Sequence, residues 1–97
     1  MVTNINEVST PSKVRANFRK YAGNDDVKLE LSEKKDKKYK VIVDNKTVHF
    51  GSTMPDFTKT ADKTRQKSYL ARAKGIKGAW KGNKYSPNNL AINLLWN

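Results

Sequence analysis

Three short segments in the first half of the chain place apolar residues at every second position. The first, VKLEL at residues 27–31, places three aliphatic side chains on one face and two charged ones on the other. YKVIV at residues 39–43 and TVHF at residues 47–50 repeat this period of two, which is typical of half-buried strands. The sequence DNK at residues 44–46 supplies turn chemistry between them, since asparagine tolerates positive φ. The pattern predicts a three-stranded antiparallel meander with one apolar face.

A segment with helical periodicity precedes the first strand. It opens with a cap-plus-proline signal at residues 10–11. Val14, Phe18 and Tyr21 then follow at i, i+4 and i+7, which places them on one side of a helix. We therefore predict a helix over residues 11–22 that covers the sheet, because a three-stranded sheet needs a second layer to bury its apolar face.

Two further helices are predicted in the second half of the chain. One is expected over about residues 60–74, with Asp62 favourably placed in its first turn. A second cap-plus-proline signal at residues 86–87 predicts a short C-terminal helix that continues to Trp96. The apolar residues of this last segment are Leu90, Ile92, Leu94, Leu95 and Trp96. A segment this apolar should dock either on its own domain or on a neighbouring chain.

Together these elements predict an α+β fold, in which a small three-stranded antiparallel sheet packs with two to three short helices. The chain has 97 residues, which is the size of one domain with a small core. Residues 1–9 are polar and aperiodic, so we predict a flexible N-terminal arm there. Residues 10–97 are predicted to form a single small basic domain.

The charge of the chain changes this picture from a generic small domain to a binding protein. Twenty Lys and Arg against nine Asp and Glu give a net charge of +11. Residues 59–84 contain nine of the basic residues and only one acid, Asp62, a local balance of +8. Such an asymmetric excess indicates an anionic partner, either nucleic acid or an acidic protein surface. The candidate anion-binding residues are Lys59, Lys63, Arg65, Lys67, Arg72, Lys74, Lys77, Lys81 and Lys84.

Several kinds of site are poorly supported by the composition. The chain has no cysteine and one histidine, so we predict no disulfide, no protein-bound metal and no cofactor. No apolar run is long enough to span a membrane, and the N-terminus lacks the order of a signal peptide. We therefore predict synthesis in a cytoplasm and no membrane contact.

Catalytic chemistry is also poorly supported, so we predict that the protein is not an enzyme and has no catalytic residues. His49 is expected on the polar face of its strand without a carboxylate partner, as an ordinary surface histidine. Gly51 is interpreted as the end of the hairpin rather than as a phosphate loop. A metal-dependent nuclease needs clustered carboxylates, but turn and helix signals account for Asp44 and Asp62 and leave only Asp56.

The order of four stretches resembles a family of small basic proteins of unknown function from large DNA viruses and phages. The stretches are KYKVIVDNKTVHFG at residues 38–51, DFT at 56–58, SYLAR at 68–72 and LLWN at 94–97. Lys59-Thr60 and Ala73 stand where that family usually carries histidines, so any role of those histidines does not transfer to this chain. The resemblance implies viral origin and residence in the virion, but it implies no mechanism.

Our principal prediction is a non-enzymatic structural protein of a virus or phage, made in the host cytoplasm and carried in the virion. As an auxiliary capsid protein, minor or cement, it would bind acidic capsid surface or packaged genome through its lysine-rich segment. Expected partners are the major capsid protein or other virion proteins, with non-specific DNA contact as an option. The predicted protein-interface residues are Trp80, Leu90, Leu94, Leu95 and Trp96.

The alternative is a viral protein that binds nucleic acid without sequence specificity during infection. Lysine outnumbers arginine by 16 to 4. Lysine is suited to non-specific phosphate contact, whereas arginine provides bidentate base readout. The charge alone does not separate the two predictions, because both would use the same basic residues.

Overall fold

The three alternating segments form one antiparallel sheet in the computed structural model, which describes residues 4–97. Its strands are β1 (Val27–Leu31), β2 (Tyr39–Val43) and β3 (Lys46–Phe50), in the order β1-β2-β3. The predicted meander is therefore confirmed. β3 begins one residue earlier than predicted, because a two-residue turn joins it to β2. The two turn residues, Asp44 and Asn45, have φ of 51° and 62°, as a tight hairpin requires.

The strand register brings the apolar residues of all three strands to one face. Leu29 lies opposite Val41, which in turn lies opposite Val48. Tyr39 and Phe50, one row further along, are almost completely buried. This face forms one wall of the core, and the other face carries Ile42 and most of the charged and polar residues of the strands. The sheet therefore needs a cover on one side only.

The first helix, α1, spans Pro11–Ala22, as the cap-plus-proline signal predicted. Val14 is fully buried in it, and Phe18 and Tyr21 are partly buried against the core. Gly23 ends α1 with φ of 58°, a left-handed conformation that glycine adopts without strain.

The helix predicted over about residues 60–74 forms as α3 (Lys63–Lys74), and a separate short helix that was not predicted, α2 (Phe57–Thr60), precedes it. The chain breaks at Ala61, whose φ of 52° is left-handed and stops α2. Asp62 then caps α3, because its Oδ1 accepts hydrogen bonds from the backbone N–H groups of Thr64 (3.0 Å) and Arg65 (3.1 Å).

The C-terminal helix forms as predicted, but it changes type along its length. A 3₁₀ turn over Ala79–Gly82 precedes α4 (Pro87–Leu90), and a π-helical turn over Ala91–Leu95 follows α4 directly. α1 packs on this π-helical turn and on β1, whereas α4 packs on β3. The sheet is therefore covered jointly by α1 and by residues 87–96, which we call the C-terminal segment, and not by α1 alone.

The apolar side chains of the C-terminal segment lie in the chain's own core. Leu90 and Leu94 have no exposed area, and Leu95 and Trp96 retain 1 % and 8 %. The sequence did not decide whether this segment docks on its own domain or on a neighbouring chain. The structure shows that the protein's own sheet and α1 cover it. This corrects the expected interface role of these four residues, because buried side chains have no surface to offer a neighbouring chain.

Residues 4–9 also differ from the predicted flexible arm. They form a 3₁₀ turn over Ile5–Glu7, and Ile5 packs against the core. The backbone N–H of Asp56 donates to the carbonyl of Val8 (2.9 Å), and Ser9 is buried at 1 % exposure. These contacts attach the segment to the domain. Residues 1–3, the rest of the predicted arm, lie outside the described residues.

The helices of the described chain are short. Within residues 4–97, none is long and apolar enough to cross a membrane.

Candidate functional site

The lysines of α3 form a row on its exposed surface. Lys63, Lys67 and Lys74 lie within about 40° of one another around the helix, at 100° per residue. All three are exposed, and no carboxylate of residues 4–97 forms a salt bridge with them. We call these three residues the lysine row. Their charges are free to attract an external anion.

The two arginines of α3 lie on a different side of the helix. Arg65 and Arg72 are about 170° from the centre of the lysine row, at 100° per residue. Between the two sets, on the inward side, Tyr69 and Leu70 pack against the core and Ala73 is buried. α3 therefore presents its positive charge on two separate flanks. We call Arg65 and Arg72 the arginine pair.

The other predicted basic residues are distributed around these flanks. Lys59 lies at the end of α2, not on α3, and is exposed. Lys77 and Lys81 are exposed after α3, where the Lys81 ammonium lies 5.6 Å from the centre of the Trp80 ring. Trp80 is half-buried, and its indole N–H donates to the carbonyl of Ile76 (2.7 Å). This predicted interface residue therefore retains an exposed part.

Lys84 is the member of the predicted set whose charge is already compensated. Its Nζ lies 2.8 Å from Oδ2 of Asp25 and sits near the rings of Tyr21 and Tyr85, 5.4 Å and 5.5 Å from their centres. The Tyr85 hydroxyl donates to the same Asp25 oxygen (2.5 Å). These contacts join α1 to the residues before α4, so Lys84 has a structural role.

A groove of about 480 Å³ opens beside the arginine pair. Its apolar lining includes Met54, Tyr69, Ile76 and Trp96. The rings of Tyr69 and Trp96 are stacked, with centres 4.3 Å apart and planes 12° apart. Burial raises the pKa of the Tyr69 hydroxyl. We call this feature the α3 groove. Its size is within the range of small-molecule and peptide-anchor pockets.

Two side-chain hydrogen bonds hold the walls of the α3 groove together. Gln66 Nε2 donates to the carbonyl of Trp96 (2.8 Å), which ties α3 to the C-terminal segment. Asn88 Nδ2 donates to the carbonyl of Ala73 (3.0 Å), which ties α4 to the end of α3. The groove is therefore formed before any ligand enters.

A buried ion pair joins the residue before β2 to the N-cap residue of α2. Lys38 Nζ is 3.1 Å from Asp56 Oδ2, and both side chains are at most 1 % exposed. Lys38 also donates to the carbonyl of Met54, and Asp56 Oδ1 accepts from the backbone N–H (3.0 Å) and the hydroxyl of Thr58. Burial lowers the pKa of Lys38, and the nearby Asp56 carboxylate opposes that shift.

Two more hydroxyl groups extend this buried network. Tyr39 donates its hydroxyl hydrogen to Ser9 Oγ (2.8 Å), and Ser9 Oγ lies 3.2 Å from Thr58 Oγ1. Burial raises the pKa of Tyr39 to about 12. The network explains the role of Asp56, the acid that the sequence left without a role. Asp56 caps α2 and neutralises Lys38, so its role is structural.

His49 has partners that the sequence did not reveal. Its Nδ1 lies 2.8 Å from Ser32 Oγ, and its Nε2 lies 4.0 Å from Glu33 Oε1. The hydroxyl, imidazole and carboxylate resemble the order of a hydrolytic triad, but Ser32 is fully buried and its hydroxyl also accepts from the N–H of Lys34. A nucleophile must reach its substrate, whereas the Ser32 hydroxyl is buried and held by hydrogen bonds within the turn before β2.

The carboxylates of the described chain are spread out. Among residues 4–97, no three His, Cys, Asp or Glu side chains lie close enough together to hold a metal ion.

Comparison with known proteins adds one finding. Residues 27–73 match a family of unknown function, DUF5754. The matched region runs from β1 into the last turn of α3, so it contains the hairpin, the buried ion pair and two members of the lysine row, Lys63 and Lys67, whereas Lys74 lies just beyond it. No curated protein and no solved structure matches the chain.

Proposed function

We propose that the protein is a non-enzymatic module that binds the phosphate backbone of nucleic acid without sequence specificity. The observation that carries this proposal is the lysine row, three exposed and unpaired cations on one side of α3 in a chain of net charge +11. Lys59 and Lys77, exposed at either end of α3, extend the positive surface. Its anionic partner is therefore a long polyanion rather than a single small ligand.

The spacing of the lysine row fits a phosphate backbone. At a rise of 1.5 Å per residue, Lys63 and Lys74 lie roughly 16 Å apart along the axis of α3. Duplex DNA carries one negative charge per roughly 1.7 Å of its axis, so the row faces several phosphates at once. Lysine contacts phosphate as a point charge and reads no base pattern, which supports binding to the backbone alone.

The test is the salt dependence of binding to a fluorescein-labelled DNA duplex, measured by fluorescence anisotropy. If about five phosphates are contacted, log K falls with log salt at a slope near −4.5. Replacing the lysine row with glutamine (K63Q, K67Q and K74Q together) should flatten the slope by roughly 2.7, since each lost phosphate contact contributes about 0.9.

A matched control removes the same charge elsewhere. Lys20, Lys28 and Lys46 are exposed on α1, β1 and β3, so K20Q, K28Q and K46Q together should leave most of the slope unchanged. Equal losses in the two triple variants would show a response to net charge alone and would contradict a defined lysine surface. Salt-independent binding, or no binding at low salt, would contradict the whole proposal.

An auxiliary capsid protein is the second candidate, supported by the resemblance to proteins of large DNA viruses and by the α3 groove. The apolar C-terminal segment does not support it, because residues 87–96 dock within the domain. Its test is mass spectrometry of purified particles, with copy number measured against the major capsid protein. Hundreds of copies per particle would support a shell component, and absence from particles would exclude one.

A further inference from the structure

We propose that the α3 groove is a docking site for an acidic amphipathic helix of a partner protein. The groove lies between α3, the connector that contains Met54, and the C-terminal segment. It combines an exposed apolar floor with two cations on one rim. The residues that line this groove do not include any member of the lysine row, so the inference goes beyond nucleic-acid binding.

The apolar floor carries the first part of the argument. Among the described residues, the exposed large hydrophobic side chains are Leu31, Met54 and Ile76. Two of these three, Met54 at 52 % and Ile76 at 53 % exposure, line the same groove. Exposed apolar side chains gathered in one concave site mark a binding surface, and the flexible methionine adapts to different apolar partners.

The arginine pair carries the second part, because it specifies the charge of the partner. Arg65 and Arg72 are exposed and stand at i and i+7 on α3, roughly 10 Å apart along its axis. Tyr69 lies between them at the groove wall. Arginine pairs with carboxylate through two parallel hydrogen bonds, so two arginines at this spacing select two carboxylates at the same spacing.

A helix lying beside α3 meets both requirements at once. Acidic residues at i and i+7 of such a helix match the arginine pair, and apolar residues at i+3 and i+4 between them face the groove floor. The walls are already tied by Gln66 and Asn88, so little ordering is required when the ligand binds.

A nucleotide is the main competing occupant, and the aromatic geometry disfavours it. A base would need a free ring face on which to stack. Tyr69 and Trp96 are stacked on each other, and Trp96 is only 8 % exposed. The exposed part of the floor consists of the aliphatic side chain of Ile76 and the thioether side chain of Met54, which favours an apolar side chain over a base.

The experiment is an NMR titration of the ¹⁵N-labelled full chain with a synthetic alanine-based helix of about 15 residues. The peptide carries Glu at i and i+7 and Leu at i+3 and i+4. Amide shifts are expected in residues 64–76, together with the indole N–H of Trp96. A peptide of the same composition with the Glu and Leu positions exchanged is expected to bind more than about 10-fold more weakly, since it cannot satisfy the floor and the arginine pair together.

Variants of the protein distinguish this site from the nucleic-acid surface. R65E with R72E should weaken peptide binding more than about 10-fold, and so should Ile76→Ser, which removes part of the floor. The variant K63Q, K67Q and K74Q should bind the peptide within about 2-fold of the unchanged protein, because its charges lie on the other flank. All of these side chains are exposed, and the amide spectrum of each free variant verifies its fold.

Three results would overturn the inference. The first is equal binding of the ordered and exchanged peptides, and the second is a set of shifts confined to the lysine row. The third is a stronger response of the groove amides to adenosine monophosphate than to the peptide, which would assign the site to a nucleotide. If the triple variant K63Q, K67Q and K74Q loses DNA binding but retains peptide binding, the two surfaces act independently. Each of the two proposals can therefore be contradicted without the other.

Discussion

At the scale of single residues, the buried pair of Lys38 and Asp56 is the most constrained feature of the molecule. Both charges are removed from water, and such burial costs several kcal/mol per ion unless partners compensate. Asp56 accepts from the N–H and hydroxyl of Thr58, and Lys38 donates to Asp56 and to the carbonyl of Met54. Each buried polar atom of the pair therefore has a hydrogen-bond partner, and the removal of either member leaves the other buried without a counter-charge.

We predict that Lys38→Met lowers the free energy of unfolding by about 3–5 kcal/mol, because it leaves the Asp56 carboxylate buried and unpaired. Adding Asp56→Asn should recover part of that loss, since asparagine keeps the cap of α2 without the charge. Urea unfolding of the two single variants and the double variant measures the coupling between the residues. Additive losses would show that the two side chains do not depend on each other.

The sequence did not reveal this pair. Asp56 stood out only as the one acid that turn and helix signals left without a role, and the short helix that it caps was not predicted. Lys38 gave no local signal, because it stands in a run of charged residues that reads as a solvated turn. Only the tertiary fold shows that the connector after β3 crosses in front of it and supplies its partners.

At the scale of elements, the sequence predicted those helices and strands whose ends are set by residues within or directly beside them. Residues 11–22 and the three strands were predicted within one residue, because a cap, a glycine stop and strict alternation are local. The break between α2 and α3 was missed because Ala61 adopts a left-handed φ that alanine disfavours. Asp62, which caps α3, was recognised as an acid near a helix start but not as the start itself.

The C-terminal segment provides a test at this scale. We predict that Leu94→Ala lowers the free energy of unfolding by about 2–5 kcal/mol, because Leu94 is fully buried between α1 and the sheet. Ile92→Ala in the same π-helical turn is the matched control and should cost less, since Ile92 is only half-buried. Thermal melts should give the same difference at all protein concentrations. A dependence on concentration would mean that a second chain, not this domain, covers Leu94.

At the scale of the whole molecule, the fold divides the positive charge that the sequence concentrates in residues 59–84. The sequence placed nine basic residues in one segment, and the fold distributes them over two flanks of α3 and the chain that follows. Lys84 forms an exposed ion pair with Asp25, so its charge is already partly compensated within the protein. The expected interface role of the C-terminal residues was wrong because apolar character at a chain end does not show whether the cover is internal.

The whole molecule should also lose stability at high pH, because the pKa of all four tyrosines is raised above 10.0, mainly by burial. Above that pH the tyrosines of the unfolded chain release their protons and the folded ones retain them. The unfolded state then binds fewer protons, so stability falls as pH rises. For Tyr39, whose pKa is about 12, the stability present below pH 10 is lost between pH 10 and about 12. Its share is on the order of 2–3 kcal/mol.

Tyr39→Phe isolates that share, because phenylalanine fills the same space without an ionisable group. At pH 8 the variant should be less stable by about 1 kcal/mol, for loss of the hydrogen bond to Ser9. Between pH 10 and 12 the free energy of unfolding of the variant should fall less steeply than that of the unchanged protein. The two plots of unfolding free energy against pH should therefore converge or cross. The lowered pKa of Lys38 acts in the opposite direction, but it is common to both proteins and cancels in the comparison. Parallel curves from urea unfolding at each pH would show that Tyr39 ionises equally in the folded and unfolded chains.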